Sequence, residues 1–399
     1  MKMKKGMRAL SLLMVIVFVG VIFVPVVCAS EELNSASKET KIEKNYITID
    51  TAYEHACLAM QDFVDRGLVD ISWINAEINC NPLEICDING KKLFYSFPIK
   101  KNGENIGTIK IASSKVLGAS VLTFGSETSF INEDELTLKS EEFIKKNYVD
   151  SKLVSMQTVC YRYPKIGLLL TFVNPEGDKN QIILDTSDYS QLSESDVSSF
   201  YDTIPESELS SRLSDWEEQQ NYLRNHEVNN SSIKATVTET LSGFYLYPQE
   251  GTNWCCFATA QMISKYYGYN RSQQQIAQTI GVDPDDGATL NQVTNNYYKK
   301  SALSGGIGKT NTYTEWLTNA QFDTVKDEID ANHPVHTSRY EALSYHARVI
   351  TGYSYVTDSG NEYVYIYDPW PVDLGGLYWE NWNVFYSGSN PVHANVYVK

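Results

Sequence analysis

The spacing of apolar residues in the first half of the chain predicts one helix followed by short strands. An amphipathic helix is expected over 51–66. After it, apolar and polar residues alternate in short runs, separated by turn sequences at 87–90 and 101–103 that both contain Asn-Gly. Because Asn-Gly favours tight hairpin turns, the runs at 92–99 and 106–113 should pair as a hairpin.

A different periodicity appears near residue 255. Ala258, Met262 and Tyr266 recur at helical spacing, which predicts a helix with one apolar stripe. Asn253 is a suitable residue to cap the start of this helix, and Gly268 is a suitable residue to end it. The residue between the cap and the stripe, Cys255, then lies in the first turn.

Two strand-like runs follow, at 346–353 and 362–368, with turn residues between them. They predict an antiparallel hairpin that places His346 and Asp368 at the same end. Strict pairing would leave Asp368 about four residues short of His346. We therefore expect the Asp368 carboxylate to leave the ladder, and Pro369, which has no N–H, to end the pairing.

These patterns divide the chain into an N-terminal α+β domain at 45–185 and a C-terminal domain at 240–399. The residues between them, 186–239, are rich in Ser and Glu and contain few aromatic residues. Such a composition predicts an acidic linker that does not pack by itself, with one helical piece near 206–225. A linker of this kind is the natural place for a proteolytic cut.

The first 29 residues have the pattern of an export signal. Basic residues at the start are followed by an apolar run at 9–27 and then by Cys28 and Ala29. The run is long enough that an uncleaved N-terminal membrane anchor is an alternative, and lipid modification of Cys28 is a third. In each case we expect the folded part to be secreted or held at the cell surface.

Composition narrows the class of partner. The chain has 399 residues, enough for two ordinary domains, and its 42% hydrophobic and 21% charged residues are typical of globular proteins. Lys and Arg total 33 against 49 Asp and Glu, a net charge of −16. Because nucleic-acid binding depends on neutralising phosphates, this charge argues against a nucleic acid as partner.

Cysteine usage is compatible with an oxidising compartment. Six cysteines follow Cys28: Cys57, Cys80, Cys86, Cys160, Cys255 and Cys256. Their pairing cannot be determined from sequence, although Cys80 and Cys86, on either side of a turn, are candidates for a local disulfide. His333 and His336 are a possible pair of metal ligands, but no further ligand accompanies them. We expect no metal and no cofactor.

The candidate catalytic residues are Cys255, His346 and Asp368. A thiol in the first turn of a helix lies at the positive end of the helix dipole, which favours the thiolate. Cysteines at helix starts are more often structural. Here, however, a Cys, a His and an Asp appear in the roles that a nucleophile, a base and a base-orienting group require.

This set resembles the papain-like cysteine peptidases, in the exported branch akin to bacteriocin-processing peptidase domains of the C39 type. Gln249 stands six residues before Cys255, His346 opens His-Ala-x-Val-Ile-x-Gly-Tyr, and Asp368 precedes Pro. The resemblance implies that Cys255 is the nucleophile, His346 the base and Asp368 the third member of a catalytic triad. It also implies that the side chain of Gln249 contributes to the oxyanion hole.

The sequence departs from the family pattern directly after the nucleophile. Cys256 and Phe257 stand where Trp and Ala are usual, so Cys256 is an alternative nucleophile. The distances to Met262 and Gly268 fit the pattern when they are counted from Cys255. We therefore favour Cys255.

The N-terminal domain resembles, through Trp73 and the stretches 89–97 and 107–111, the inhibitory prosegment of streptopain-type peptidases. The combined resemblance implies an α+β fold with two parts. A helix plus an antiparallel sheet forms the N-terminal domain, and a papain-like domain follows, with Cys255 on its first helix and His346 and Asp368 on an antiparallel sheet. It also implies that the N-terminal domain is an intramolecular inhibitor. The alternative for this region is a substrate-binding or spacer domain.

The predicted function is an exported, monomeric cysteine peptidase, made as a precursor, that hydrolyses peptide or protein substrates through an acyl-enzyme. Its only membrane contact would be through residues 1–29, if they are not cleaved. Two alternatives use the same region differently: a catalytically inactive papain-like binding module, and an acyltransferase or deamidase with the same triad.

Overall fold

The computed structural model describes residues 38–127, 133–228, 235–317, 321–341, 344–357, 361–386 and 393–399. The predicted export signal at 1–29 lies outside these residues. Within the described ranges, no helix combines the length and the apolar character needed to cross a bilayer.

Helices and strands are distributed along the whole described chain. The helices are α1 Ile49–Asp65, α2 Glu133–Asn147, α3 Leu209–Val228, α4 Cys255–Tyr266, α5 Gln273–Ile280, α6 Leu290–Val293, α7 Phe322–Asp330 and α8 Trp382–Phe385, with a further helical segment at 38–44. The strands are β1 Glu77–Ile78, β2 Leu83–Asp87, β3 Lys92–Lys101, β4 Glu104–Ala112, β5 Val121–Glu127, β6 Lys152–Arg162, β7 Lys165–Val173, β8 Lys179–Asp185, β9 Thr236–Thr240, β10 Tyr313–Leu317, β11 Val335–Glu341, β12 Ser344–Val356, β13 Glu362–Asp368, β14 Gly376–Asn381 and β15 His393–Tyr397.

The described strands form one large sheet of 15 strands. Its main order is β10-β15-β11-β12-β13-β14-β5-β4-β3-β2-β6-β7-β8, with β1 beside β3 and β9 beside β12. The paired strands run antiparallel, apart from the parallel contact of β2 with β6. The protein is therefore a mixed α/β structure built on an extended, mainly antiparallel sheet.

Helix α1 confirms the amphipathic pattern of the N-terminal part. The hydroxyl of Thr48 accepts a hydrogen bond from the backbone N–H of Thr51 at 3.1 Å and so caps the helix. Its buried face carries Ala52, Ala56 and Phe63, and this face packs against the neighbouring strands β3, β4 and β5. The predicted hairpin is also present, as β3 and β4.

The N-terminal and C-terminal strands meet at the β5–β14 pair. Gly125 lies opposite Tyr378, and a Cβ atom at Gly125 would lie 2.5 Å from the carbonyl oxygen of Leu377. The absence of a side chain therefore permits this close pairing. Beside it, the ring of Phe124 packs edge-on against Tyr363, with 5.4 Å between ring centres.

The predicted linker is largely packed in the structure, which differs from the sequence-based expectation. Helix α3 buries Trp216 and Leu223. Ahead of it, the hydroxyl of Ser199 and the backbone N–H of Phe200 donate hydrogen bonds to the buried carboxylate of Asp87, at 2.5 and 3.0 Å. Composition missed this because a few apolar residues on one helix face and one buried carboxylate are enough to fix the segment.

The described cysteines form no disulfide. Cys80 is exposed, whereas Cys86 is buried in β2, where its sulfur lies 3.2 Å from the amide nitrogen of Gln157. The local disulfide for which Cys80 and Cys86 were candidates is therefore not present.

Candidate active site

Helix α4 begins at Cys255, as the apolar stripe predicts, but its cap differs from the prediction. Trp254 occupies the capping position, and no side chain caps the helix. The side chain of Asn253 instead donates a hydrogen bond to the backbone carbonyl of Asp285 at 2.8 Å, and the indole of Trp254 donates one to the Asp285 carboxylate at 3.0 Å. The Cys255 thiol therefore lies at an uncapped helix start, where unpaired backbone N–H groups favour an anion.

The hairpin of β12 and β13 brings His346 and Asp368 together. The Nε2 atom of His346 lies 2.7 Å from Oδ1 of Asp368, and both side chains are 2% exposed. Val349 pairs with Tyr367, so Asp368 lies beside Arg348, two residues from His346 rather than four. A register shift near Ile350 accounts for one of these two residues, and bulges of this kind are not visible in a sequence pattern.

Asp368 also remains closer to the ladder than expected. The register with β12 ends at Tyr367, but Asp368 still pairs with Gly376 of β14. Its carboxylate accepts hydrogen bonds from the hydroxyl of Tyr378 at 2.6 Å and from the backbone N–H of Trp370 at 2.8 Å. Neighbouring strands, rather than a free strand end, thus hold this carboxylate.

The electrostatics favour a charged Asp368 and a charged His346. Burial by itself would raise the pKa of Asp368, but the charge and hydrogen bond of His346, with the charge of Arg348, lower it below its usual value. Burial by itself would lower the pKa of His346, but the charge and hydrogen bond of Asp368 and the contact with Cys255 raise it above its usual value. The imidazolium is therefore stabilised by its two neighbours.

Cys255 lies on the other side of the imidazole. Burial by itself would raise the pKa of its thiol, but interaction with His346, a backbone hydrogen bond from Ala347 and the charge of Lys165 together lower it below its usual value. The Nδ1 atom of His346 makes no conventional hydrogen bond in the described structure. Since Nε2 is held by Asp368, Nδ1 is the ring nitrogen available to the sulfur.

Cys256, the alternative nucleophile, has a different environment. Its sulfur is completely buried and lies 3.9 Å from Nε2 of His336, whose Nδ1 is 2.9 Å from the hydroxyl of Tyr298. Burial and the nearby charge of Cys255 raise the pKa of the Cys256 thiol well above its usual value. Burial lowers the pKa of His336 to about 3. A neutral imidazole cannot stabilise a thiolate by charge, so this pair is suited to packing.

Gln249 lies beside the loop that leads to Cys255 and is fully buried. Its amide nitrogen donates hydrogen bonds to the carbonyl oxygens of Gly251 at 2.6 Å and Thr252 at 2.9 Å. Its backbone N–H donates to the carbonyl of Pro369, directly after Asp368. Gln249 thus links the Cys255 loop to the end of β13. Both of its side-chain amide hydrogens form hydrogen bonds to backbone carbonyls in this structure.

The structure adds one residue that the sequence did not indicate. Lys165 begins β7 in the N-terminal part, and its ammonium lies 4.2 Å from the centre of the Trp370 ring. Burial lowers the pKa of Lys165, and the charge of Cys255 opposes that shift. Cys255 itself is only 7% exposed. No local pattern around a hairpin tip reveals a contact with residues so distant in sequence.

The two histidines considered as metal ligands do not converge. Nδ1 of His333 lies 2.8 Å from the carboxylate of Glu328, whereas His336 lies with Cys256 and Tyr298. In the part of the chain that the structure describes, no three His, Cys, Asp or Glu side chains come together in a way that could hold a metal ion.

The C-terminal sequence matches a known family over the region that contains these residues. Residues 241–389 match the model of the Peptidase_C39 like family. This region is a C39-like cysteine peptidase domain. The match covers the segment that carries Cys255, His346 and Asp368, while Gln249 lies near its start.

Solved structures similar to the chain include the peptidase domain of Streptococcus ComA, a bifunctional ABC transporter involved in a quorum-sensing pathway. The two sequences are 19% identical, and the TM-score is 0.25. The similar region covers 39% of the present chain and 99% of the ComA peptidase domain. No curated protein matches the chain.

Proposed function

We propose that this C39-like peptidase is an exported enzyme that hydrolyses peptide bonds through Cys255, His346 and Asp368. The observation that carries the proposal is a continuous arrangement of three groups. A thiol at an uncapped helix start contacts an imidazole whose Nε2 lies 2.7 Å from a buried carboxylate. Export remains a proposal from the sequence of residues 1–29.

The geometry supports a mechanism of acyl transfer. The Cys255 thiolate attacks the substrate carbonyl carbon and forms a carbon–sulfur bond, while the carbonyl oxygen becomes an oxyanion that the helix start can stabilise. His346 then transfers the proton on Nδ1 to the leaving amine as the peptide bond breaks. A water molecule that gives its proton back to Nδ1 attacks the thioester and releases the acid. Asp368 keeps the Nε2 proton in place throughout.

The proposal predicts a thiol that reacts at mildly acidic pH. Because the Cys255 pKa is lowered and the His346 pKa is raised, the thiolate–imidazolium pair persists between these two pKa values. Iodoacetamide should therefore label Cys255 rapidly at mildly acidic pH, whereas Cys256, with its raised pKa, should stay unlabelled. Peptide mapping by mass spectrometry measures both sites, and the loss of casein hydrolysis should follow the labelling of Cys255.

Other outcomes of this labelling experiment would contradict the proposal. Casein hydrolysis that continues after complete labelling of Cys255 would exclude the proposed nucleophile. Rapid labelling without any hydrolysis would instead favour the alternative of an acyltransferase or deamidase. The engaged amide hydrogens of Gln249 are the one observation that favours the inactive binding module, and slow labelling of Cys255 would support it.

We further propose that the N-terminal domain at 45–185 inhibits the peptidase and that the chain is made as a precursor. Lys165 lies close enough to interact with both Cys255 and Asp368, and Pro164 beside it lines a cavity of about 440 Å³ next to Asp368 and Trp370. A substrate must displace this turn between β6 and β7 to reach the sulfur.

Removing the Lys165 side chain should therefore activate the full chain. A cation–π contact contributes about 0.5–2 kcal/mol, so Lys165→Ala should raise the rate of hydrolysis of a small fluorogenic peptide about tenfold. Lys179→Ala is the matched control, because Lys179 is an exposed lysine at the start of β8 in the same domain. If the turn does not inhibit, Lys165→Ala should lower the rate instead, since Lys165 helps to lower the Cys255 pKa.

A further inference from the structure

The turn between β6 and β7 also places an aromatic side chain into the C-terminal domain. Tyr163 is 3% exposed, and its ring stacks on that of Phe385 with 4.1 Å between the ring centres. Its hydroxyl donates a hydrogen bond to Oε1 of Glu380 at 2.7 Å. The guanidinium of Arg339 lies 5.6 Å from the centre of the Tyr163 ring. The residues of the C-terminal domain around Tyr163, namely Glu380, Phe385, Arg339 and Arg348, are called the tyrosine pocket below.

The tyrosine pocket suits an aromatic ring that carries a hydroxyl group. Glu380 is completely buried and pairs with Arg348, which is 1% exposed, at 2.7 Å. Charged groups are rarely buried in this way unless each is paired and hydrogen-bonded. The Tyr163 hydroxyl supplies one hydrogen bond to Oε1 of Glu380, and the flat face of Phe385 accepts an aromatic ring. A phenylalanine side chain would fill the same volume but would leave Glu380 without this donor.

The tyrosine pocket is adjacent to the candidate active site. Arg348 donates a hydrogen bond to the Tyr378 hydroxyl at 3.2 Å, and that hydroxyl donates one to Asp368 at 2.6 Å. Lys165, two residues after Tyr163, places its ammonium 4.2 Å from the centre of the Trp370 ring, and the backbone N–H of Trp370 donates a hydrogen bond to Asp368 at 2.8 Å. Two residues of extended chain span about 7 Å at most. The turn therefore places two side chains, two positions apart, in the tyrosine pocket and over the ring of Trp370 at the candidate active site.

We propose that the tyrosine pocket is the specificity site of the peptidase and that Tyr163 occupies it in place of a substrate residue. The proposed substrate is a peptide that carries a tyrosine two residues away from the residue bound at the Cys255 sulfur. This proposal rests on the proposed function. A hydrogen bond to a charged group contributes about 1.5–3 kcal/mol, which corresponds to a preference for tyrosine over phenylalanine of about 10- to 100-fold.

The first test measures this preference in the full chain. Two fluorogenic peptide series, identical except for tyrosine or phenylalanine at each position around the cleavage site, give kcat/KM for each pair. Tyrosine should be preferred about 10- to 100-fold at one position, two residues from the residue at the sulfur. Glu380→Gln should reduce this preference to near unity, and the ratio of the two kcat/KM values is the readout. Cysteine-dependent hydrolysis without a tyrosine preference would overturn the pocket and leave the proposed function intact.

The second test does not depend on catalysis. In the full chain with Tyr163→Ala, 4-methylphenol should raise the melting temperature by several degrees, because a ligand that binds only the folded state stabilises it. Toluene, which lacks the hydroxyl, should raise it less, and Tyr163→Ala/Glu380→Gln should not distinguish the two compounds. Equal effects of the two compounds on the single variant would overturn the pocket. If Tyr163→Ala does not fold, the peptide series decides.

The two tests together separate the two proposals. Selective stabilisation by 4-methylphenol, without any hydrolysis that depends on Cys255, would overturn the proposed function and the substrate role of the pocket with it. What remained would be a buried phenol-binding site.

Discussion

Replacing Cys255 with alanine should abolish peptide hydrolysis, while replacing Cys256 with alanine should leave most of it. Loss of the nucleophile from a catalytic triad lowers kcat by roughly 10⁵- to 10⁶-fold, because the remaining groups cannot form the acyl-enzyme. Cys256 faces His336 and Tyr345 rather than His346. The measurement is kcat/KM on the same fluorogenic peptide for both variants and the wild type.

The two variants are matched because each removes one sulfur from the first turn of helix α4. Cys256→Ala should lower the melting temperature slightly, since it leaves a small void in a fully buried position, and Cys255→Ala should lower it less. Loss of hydrolysis in Cys256→Ala with retention in Cys255→Ala would transfer the role of nucleophile to Cys256. The family pattern allowed both residues, so this comparison decides between them.

The helix explains why the sequence alone left two candidates. Consecutive residues in an α-helix point about 100° apart, so only one of two adjacent thiols can face a given partner. The motif spacing favoured Cys255. The structure supplies a physical reason, because Cys255 contacts His346 while Cys256 is directed to His336.

Local periodicity predicted those elements whose residues lie close together in the sequence. Helix α1, the β3–β4 hairpin and the start of helix α4 at Cys255 all follow from it. It could not predict the register shift near Ile350, which brings Asp368 one position closer to His346. It also could not predict that Asn253 bonds to the turn at Asp285 instead of capping the helix.

Local periodicity also could not predict the contacts between the N-terminal and C-terminal parts, for a related reason. Lys165 reaches Trp370 and Tyr163 reaches Glu380 only because the β5–β14 pair joins the two parts into one sheet. A pairing of two strand edges more than 200 residues apart leaves no signature in either strand. The sequence thus indicated an inhibitory domain by resemblance, but not the residues that contact the site.

The continuous sheet also affects how such a precursor could be activated. The sequence suggested a cut in the segment 186–239, yet α3 packs within this segment, with its Gln219 side chain donating a hydrogen bond to the Tyr363 hydroxyl at 3.2 Å. A cut there would leave the β5–β14 pairing and the Phe124–Tyr363 contact intact. Under the proposed mechanism, activation therefore requires movement of the turn that carries Tyr163 and Lys165, with or without a cut.

Gln249→Ala should have the second largest effect, a fall in kcat of about 10²- to 10³-fold, which is typical for the loss of one oxyanion donor. In the described state, the Gln249 amide donates its hydrogens to Gly251 and Thr252, so the residue has two possible roles. When substrate binds, one amide N–H of Gln249 can exchange its backbone carbonyl acceptor for the oxyanion. Alternatively, Gln249 only holds the loop ahead of Cys255 in place. Steady-state kinetics measure the fall, and under the first role KM changes much less than kcat.

Alkylation separates these two roles, because iodoacetamide reacts with a thiolate without forming an oxyanion. If Gln249 is an oxyanion donor, Gln249→Ala should keep the wild-type rate of Cys255 labelling while hydrolysis falls. Gln273→Ala is the matched control: Gln273 is also buried and holds the same loop through Pro248 at 2.7 Å and Glu250 at 3.1 Å. A parallel loss of labelling and hydrolysis in both variants would show that Gln249 shapes the loop and would remove it from the oxyanion hole, leaving the backbone N–H of Cys255 as the donor there.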